Sequence, residues 1–393
     1  MKFKNPTNSK LYLGPQGNIC IPQKPHDYNF HHILPFGNSR ILLTHSGRTA
    51  IFHALHLLNI RPGDQILFPS YNCGADIDPL FFSGVEVVIY RVTKSAEIDL
   101  ADIKRRVSKK TRAIYITHYF GFPQGLEGIK EICSQYKLWL IEDCALALFS
   151  KQGNDPVGSN GDVSIFSFVK TLPIPDGGAL VINNPIIPDP PTLYSPNLGQ
   201  VYLTFLLLML FYFLSKLEGT YFVHPIVSFL ARFRIALSKR RYLSFNRLEI
   251  PKYDYYDDCL TDLSISKISK QMLIEINPSK VVQRRRKNFK FLLEKLAKQE
   301  SIKLLQSTLP SGVCPVNFPI IIKKRDKLRR KLLNFGIPTI RWWSKYHRSL
   351  QWNKYPEACY LKDNILVLPI HQGLNEQHME FIANSLNISL SQL

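Results

Sequence analysis

The chain has 393 residues, of which 45% are hydrophobic and 20% charged, and its formal net charge is +20. That length suits one large domain plus a smaller one, and the composition excludes intrinsic disorder as the default. The positive balance favours anionic partners, but no Cys/His zinc-finger spacing and no RNA-binding aromatic signature is present, so nucleic acid is not expected as a partner.

The basic clusters Arg284-Arg285-Arg286-Lys287 and Lys323-Lys324-Arg325 read as solvated helix faces and loops. Seven cysteines are scattered without a CxxC pair, which argues for a reducing compartment. The opening MKFKNPTNSK has no apolar core of a secretory signal. A cytoplasmic location, with membrane association left open, is the expectation.

From residue 40 to about 181, short apolar runs alternate with helical patterns. Strands are expected at 40–44, 65–68, 85–90, 113–118, 138–143, 163–168 and 178–182, with helices at 49–58, 100–107 and 126–136. Such alternation implies an α/β fold whose central sheet is mostly parallel, with flanking helices. Ligands gather at the carboxyl ends of the strands of such sheets. The stretch INNPIIPDPPTLYSPN reads as a linker or surface excursion. It is followed by VYLTFLLLMLFYFL (201–214), which is shorter than the roughly 20 residues a straight membrane span needs. With its basic sequel it would form a hairpin lying in a membrane surface; a buried core helix or a dimer contact explains the apolar part equally well. A helix through a basic run is expected from 264 to 298, then a strand at 316–322, a helix at 327–334, a strand at 365–368 and a last helix at 376–386. The expected division is an N-terminal extension (1–36), a large domain (37–255, with an apolar and basic insertion at about 185–250) and a small C-terminal α+β domain (256–393).

Four pieces fall at the ends of these elements. His45-Ser-Gly-Arg-Thr-Ala50 opens a helix with free backbone N–H groups, where Ser46, Gly47, Arg48 and Thr49 would hold a phosphate or serve as a plain N-cap. Phe68-Pro-Ser-Tyr-Asn-Cys73 offers Tyr71 as a flat lid over an aromatic ring, or as a buried tyrosine. Asp143 ends an apolar strand, where a carboxylate needs a cation or a helix to cap. In SFVKTLPIPDGG (167–178), Ser167 is placed to donate to a phosphate, and prolines and glycines keep the loop irregular so that Lys170 projects into a cleft. A desolvated lysine amine forms a Schiff base with an aldehyde. No metal-ligand set stands out.

The order of phosphate turn, aromatic, carboxylate and Ser-x-x-Lys suits pyridoxal 5'-phosphate, whose ring needs a carboxylate at its nitrogen and a lysine at its aldehyde. Together with SGRTA, RPGDQILFPSYNCGA, THYFGFPQGL, LIEDCALAL, GSNGDVSIFSF and LPIHQGLNEQHMEFI, it resembles the DegT/DnrJ/StrS sugar aminotransferases, which are fold-type I pyridoxal-phosphate enzymes. The resemblance implies transfer of an amino group from an amino acid to a keto-sugar, usually nucleotide-linked, in polysaccharide or glycoconjugate synthesis, by a homodimer. It implies Lys170 and Asp143 as catalytic residues, with Ser46, Gly47, Arg48, Thr49, Tyr71 and Ser167 beside the cofactor. The family's usual spacing puts the lysine at Leu172, whereas counting back from Gly177-Gly178 gives Lys170. Leu146 stands where Gln or His is common, and Asp262-Leu-Ser264 stands where the family has Asn-x-Arg. Neither 170 nor 172 is the histidine of the related dehydrating branch. The alternative is a catalytically degenerate relative that acts as a binding or assembly partner, at a membrane surface or elsewhere.

Overall fold

The computed structural model describes residues 32–37, 39–196, 198–216 and 258–393. The expected extension up to residue 31 and most of the 201–241 segment beyond 216 lie outside the described residues. The first half of the chain runs β1 (Arg40–Thr44), α1 (Gly47–Leu57), β2 (Gln65–Pro69), α2 (Asp78–Phe82), β3 (Glu86–Tyr90), α3 (Leu100–Arg106), β4 (Thr111–Thr117), α4 (Glu127–Tyr136) and β5 (Trp139–Asp143). A small hairpin of β6 (Lys151–Gln152) and β7 (Asp155–Pro156) precedes β8 (Val163–Ser167) and β9 (Gly178–Ile182). The seven-stranded sheet has the order β1-β9-β8-β5-β4-β2-β3, and β9 alone runs against the other strands. The mostly parallel α/β sheet expected from the alternating pattern is therefore present.

This sheet places the end of every parallel strand on one edge. The register pairs Thr44 with Gly178 and Gly178 with Ser167. Next along the edge, Asp143 pairs with Ile165 and Thr117 with Asp143. The strands are buried on both faces and so read as near-continuous apolar runs. Gly121 (φ +99) lets the turn after β4 approach the second half of the chain, since a Cβ there would lie 2.2 Å from the Cys314 carbonyl oxygen.

The second half runs α5 (Leu198–Lys216), α6 (Lys267–Ile274), α7 (Pro278–Leu296), β10 (Lys303–Leu304), β11 (Phe318–Ile321), α8 (Arg325–Asn334), β12 (Ile340–Arg341), α9 (Pro356–Asn364), β13 (Ile365–Leu368) and α10 (Glu376–Ser391). Its strands form a four-stranded sheet in the order β10-β11-β13-β12. The single helix expected over 264–298 is two helices. Asn277 caps the second through its side chain, and Pro278 at the first helical position cannot continue the first. One apolar core runs through both sheets, while a second gathers Ile33, Leu34 and Phe36 with β8, β9, α5 and α6.

In α5, Val201, Leu207 and Leu208 are buried, whereas Tyr202, Leu203, Leu206 and Leu210 are exposed. Among the described residues, no helix is long and apolar enough to cross a membrane.

The basic clusters are not wholly solvated. Arg285 is buried on the stripe Val281, Arg285, Asn288, Phe289, Leu292 and Leu296, the inner face of α7. Its guanidinium donates to the carbonyls of Val316 (2.7 Å) and Thr171 (2.9 Å) and to Gln372 Oε1 (2.8 Å). Burial with no compensating carboxylate lowers its pKa to about 10. Arg325, in the other cluster, is also buried, and its Nη1 donates to the Lys362 carbonyl. Each run hides one arginine because a helix turns one residue in three or four inward whatever its neighbours are.

Arg285→Ala should lower the unfolding free energy by about 3 kcal/mol or more, because it leaves a void and orphaned carbonyls. Urea denaturation checks this, and an unchanged midpoint would show that the contact carries no stability.

Candidate active site

Two of the sequence-predicted pieces meet where α1 begins. Ser46 is the N-cap of α1, accepting from the Thr49 N–H at 3.3 Å, and no acidic residue occupies the first turn. Gly47 lies against β8, since a Cβ on it would stand 3.4 Å from Ser167 Cβ. Gly178 comes closer still: a Cβ there would be 2.6 Å from the Gly47 nitrogen. Glycine at these two positions brings the turn onto Ser167, so N–H groups of a helix N-terminus and a serine hydroxyl share one spot. Thr49 is committed elsewhere, its hydroxyl donating to the Leu260 carbonyl at 3.3 Å. The Ser167 hydroxyl has no hydrogen-bond partner among the described residues, and Arg48 is half-buried beside this turn.

Asp143 ends β5, buried, and accepts from the Ala145 N–H at 2.9 Å. Lys170 ends a single 3-10 turn, Phe168–Lys170, that follows β8 directly. Its ammonium lies 6.0 Å from the Trp343 ring centre. Both charges act on the same two neighbours, Cys73 and Asp76, which places all four groups in one neighbourhood. Burial, then the Asp76 charge, push the Cys73 thiol up to about 12. Burial, then the Asp143 charge, raise the Asp76 carboxyl pKa, with Lys170 opposing.

Tyr71 is fully buried, with ring centres of Tyr119 at 5.3 Å and Trp343 at 5.2 Å, and its hydroxyl has no partner among the described residues. Next to it Lys362 is also fully buried. Its three protons go to the carbonyls of Asn72 (2.6 Å), Trp343 (3.0 Å) and Lys345 (3.0 Å). Burial lowers its pKa to about 8. This lysine is an anchor tying the loop after β2 to the segment before α9.

The loop that carries Lys170 is tied at two points. Asp176 accepts from the Ser266 N–H (3.0 Å) and hydroxyl (2.7 Å), from the Ser269 hydroxyl and from His45 Nδ1 (3.1 Å). Burial works against its charge, but the bonds from His45, Ser269 and Ser266 outweigh it and hold the pKa below the usual carboxylate range. At the other end, Arg285 and Gln372 both donate to the Thr171 carbonyl. Leu172 is buried in the second apolar core, and Leu146 in the first. The stretch 262–264 packs under α1, where the Leu263 carbonyl accepts from the His45 N–H at 2.9 Å.

Asp76, Cys73 and Trp343 were not singled out in the sequence. The rule that selected Asp143, an acid that ends an apolar strand, passes over Asp76, which lies in the CGADIDP run well beyond the end of β2. His118, Glu142 and Cys144 converge in the core, but they are satisfied by each other and by the backbone. His118 Nε2 meets Glu142 at 2.9 Å, its Nδ1 accepts from the Gln124 N–H, and Glu142 accepts from the Asn160 and Gly161 N–H groups. Further along the edge, an open cleft of about 650 Å³ is lined by Glu97, Phe122, Gln124, Lys151, Gln152 and Gln306, among others.

A family model matches this part of the chain. Residues 36–195 match the model of the DegT/DnrJ/EryC1/StrS aminotransferase family. The chain is similar to GDP-perosamine synthase of Vibrio cholerae, 33% identical over 147 residues, which are 37% of this chain and 40% of that protein. It is also similar to dTDP-4-dehydro-2,3,6-trideoxy-D-glucose 4-aminotransferase of Saccharopolyspora spinosa, 30% identical over 159 residues, 40% of this chain and 41% of that one. The match thus spans about two-fifths of the curated relatives' length. Solved structures align over far more. The aminotransferase TlmJ from Streptoalloteichus hindustanus covers 95% of this chain and 92% of its own, with TM-score 0.65 and 18% identity. Helicobacter pylori PseC, an aminotransferase of pseudoaminic acid biosynthesis, covers 98% and 99%, with TM-score 0.67 and 17% identity. The fold is that of these aminotransferases.

Asp176→Ala should cost about 2–4 kcal/mol, the range for breaking a buried, multiply bonded carboxylate. Because the folded pKa lies below the unfolded one, the contribution is complete at neutral pH. It fades as pH falls below about 4 and through the folded value. Denaturation curves of wild type and variant should therefore converge in acid; a gap that stays constant would contradict this assignment.

Proposed function

We propose that the chain is a pyridoxal-phosphate-dependent aminotransferase that moves an amino group from an amino acid to a nucleotide-linked keto-sugar in polysaccharide or glycoconjugate synthesis. The observation that carries this reading is the convergence of Lys170 and Asp143 on one neighbourhood at the carboxyl edge of the sheet, beside the Ser46–Gly47 turn and Ser167. The donor set fits the cofactor: N–H groups and a serine hydroxyl for a phosphate, a buried carboxylate for a protonated ring nitrogen, and an amine for an aldehyde. When bound, the cofactor supplies an electrophilic carbon and an electron sink.

The chain's own residues do the rest. Gly47 and Arg48 present backbone N–H groups at the positive end of α1, and Ser46 caps that end by accepting from the Thr49 N–H. Ser167 donates from the opposite side. Asp143 holds a proton on the ring nitrogen, because a buried carboxylate is stabilised by a cation within reach. Lys170 accepts and returns the proton that moves during transfer, and the burial around it excludes water. Tyr71, pressed on Tyr119 and Trp343, backs the loop that bears Cys73 and Asp76. The cleft of about 650 Å³ is of a size that holds small molecules and lies on the same edge. The retained Lys170 and Asp143 favour catalysis over a degenerate binding role.

Purified chain incubated with pyridoxal 5'-phosphate, reduced with borohydride and mapped by mass spectrometry should carry the label on Lys170. Lys170→Ala should lose the label and nearly all transfer activity. A label elsewhere, or none, would remove the reading.

A second reading concerns α5. Its exposed row Tyr202, Leu203, Leu206 and Leu210 supports contact with an apolar surface, in a homodimer or at a membrane face. Leu206→Lys should lower the apparent mass in light scattering if the row lies between copies. It should abolish flotation with anionic vesicles if the row lies on lipid. A variant that behaves as wild type in both assays would leave α5 without this role.

A further inference from the structure

We propose that Asp76 is a further substrate-contacting residue of the site, whose carboxyl group receives the ammonium of the amino group being transferred. This rests on the reading above and adds a residue and a ligand chemistry to it.

Asp76 lies in the loop after β2, is 6% exposed, and neither of its carboxyl oxygens has a hydrogen-bond partner among the described residues. Buried carboxyl oxygens are otherwise hydrogen-bonded or paired, because leaving them unmet carries a desolvation cost that nothing repays. A group in this state inside a binding site is waiting for a ligand. The groups acting on its charge are, in order, Asp143, Lys170, its own backbone N–H and the Cys73 thiol. A thiol is a weak donor and does not satisfy a carboxylate.

The nearby cations divide cleanly. Lys362 feels Asp76, but its three protons are already given to the carbonyls of Asn72, Trp343 and Lys345. Lys170 makes no hydrogen bond or ion pair with another described residue, and its recorded contact is the Trp343 ring. Lys170 is therefore the cation with protons to spare that offsets Asp76. Were that amine engaged by the cofactor's aldehyde, the offset would weaken; Lys362, whose protons are already given away, would remain, and an amine brought by the substrate would supply donors that Asp76 lacks. An ammonium has three donors in a compact head and suits a carboxyl with two free oxygens.

The test compares two probes that share a phosphate and a ring and differ in one group. Pyridoxal 5'-phosphate carries an aldehyde, and pyridoxamine 5'-phosphate carries an ammonium in its place. In a Lys170→Ala chain neither is held covalently, and the dissociation constants are measured by calorimetry. Pyridoxamine phosphate should bind more tightly than pyridoxal phosphate, and adding Asp76→Asn should erase that preference by about tenfold or more while pyridoxal phosphate moves little. An unchanged preference overturns the role of Asp76 and leaves the cofactor reading standing. Failure of the wild-type chain to bind either probe overturns the cofactor reading, and the role of Asp76 with it. Thermal unfolding of the unliganded chain gives a second readout. Asp76→Asn in the otherwise wild-type chain should raise the melting temperature, because it removes a buried charge that no hydrogen bond compensates; a fall would show that Asp76 is structural and would overturn the proposal.

Discussion

The site depends on how an irregular loop is held still. Between β8 and β9 the chain leaves the sheet, makes one 3-10 turn and returns through two prolines and two glycines. A segment of that composition has no ladder to fix it, so its side chains would be free to wander. Two buried charges supply the missing constraint. Asp176 draws in Ser266, Ser269 and His45 from below, and Arg285 reaches the Thr171 carbonyl from α7. Both are expensive to bury, and both are multiply bonded, which is the condition under which burial of a charge is tolerated. Both ties follow Lys170 in the sequence, one at its next neighbour and one six residues on, and they bracket the irregular part of the loop. The lysine is thereby positioned by the loop's anchors rather than by its own contacts, which leaves its amine available.

The same economy of contacts separates two lysines that lie close together. Lys362 is locked by three carbonyls and buried completely; it joins the loop after β2 to the segment carrying Trp343. Lys170 is half-buried, with an aromatic face and two carboxyl groups nearby. Similar chemistry thus gives one cation saturated with hydrogen bonds and one that is not. The local electrostatics follow. Two acids, Asp143 and Asp76, share the neighbourhood of one unsaturated cation, and the repulsion between them together with burial raises the pKa of Asp76. Charge brought or removed by a ligand is felt strongly in such a place.

Much of this was legible in the sequence, for identifiable reasons. The strands β1, β2, β4, β5, β8 and β9 are apolar on both faces, so their runs and the polar residues that end them stand out. Asp143 and Ser167 were visible as the last residues of such runs. The two-residue strands β10 and β12 are too short to show a period, and the four-stranded sheet was only partly anticipated. Arg285 was hidden in a basic run, where composition points to solvent; only the register of α7, with Val281 four residues before and Phe289 four after, turns it inward. Asp76 was hidden because its distinguishing property is the absence of partners, and no local pattern encodes an absence.

The position of the lysine shows where spacing rules give way to geometry. Counting five residues from Ser167 leads to Leu172, while the shorter Ser-x-x-Lys leads to Lys170. Leu172 is packed with Ile174, Phe168 and Ile265 in an apolar core, and a lysine there would bury its charge among hydrocarbon. Lys170 stands at the end of a tight turn that advances the chain only a short way from the strand, so a long side chain from that point reaches back over the sheet edge toward Trp343. Shortening the connection while keeping the two glycines that admit α1 against β8 preserves the relation between the serine, the helix start and the amine. On this view the spacing of the motif is free to vary, and what is fixed is the point in space the amine must reach from a strand end beside a carboxylate.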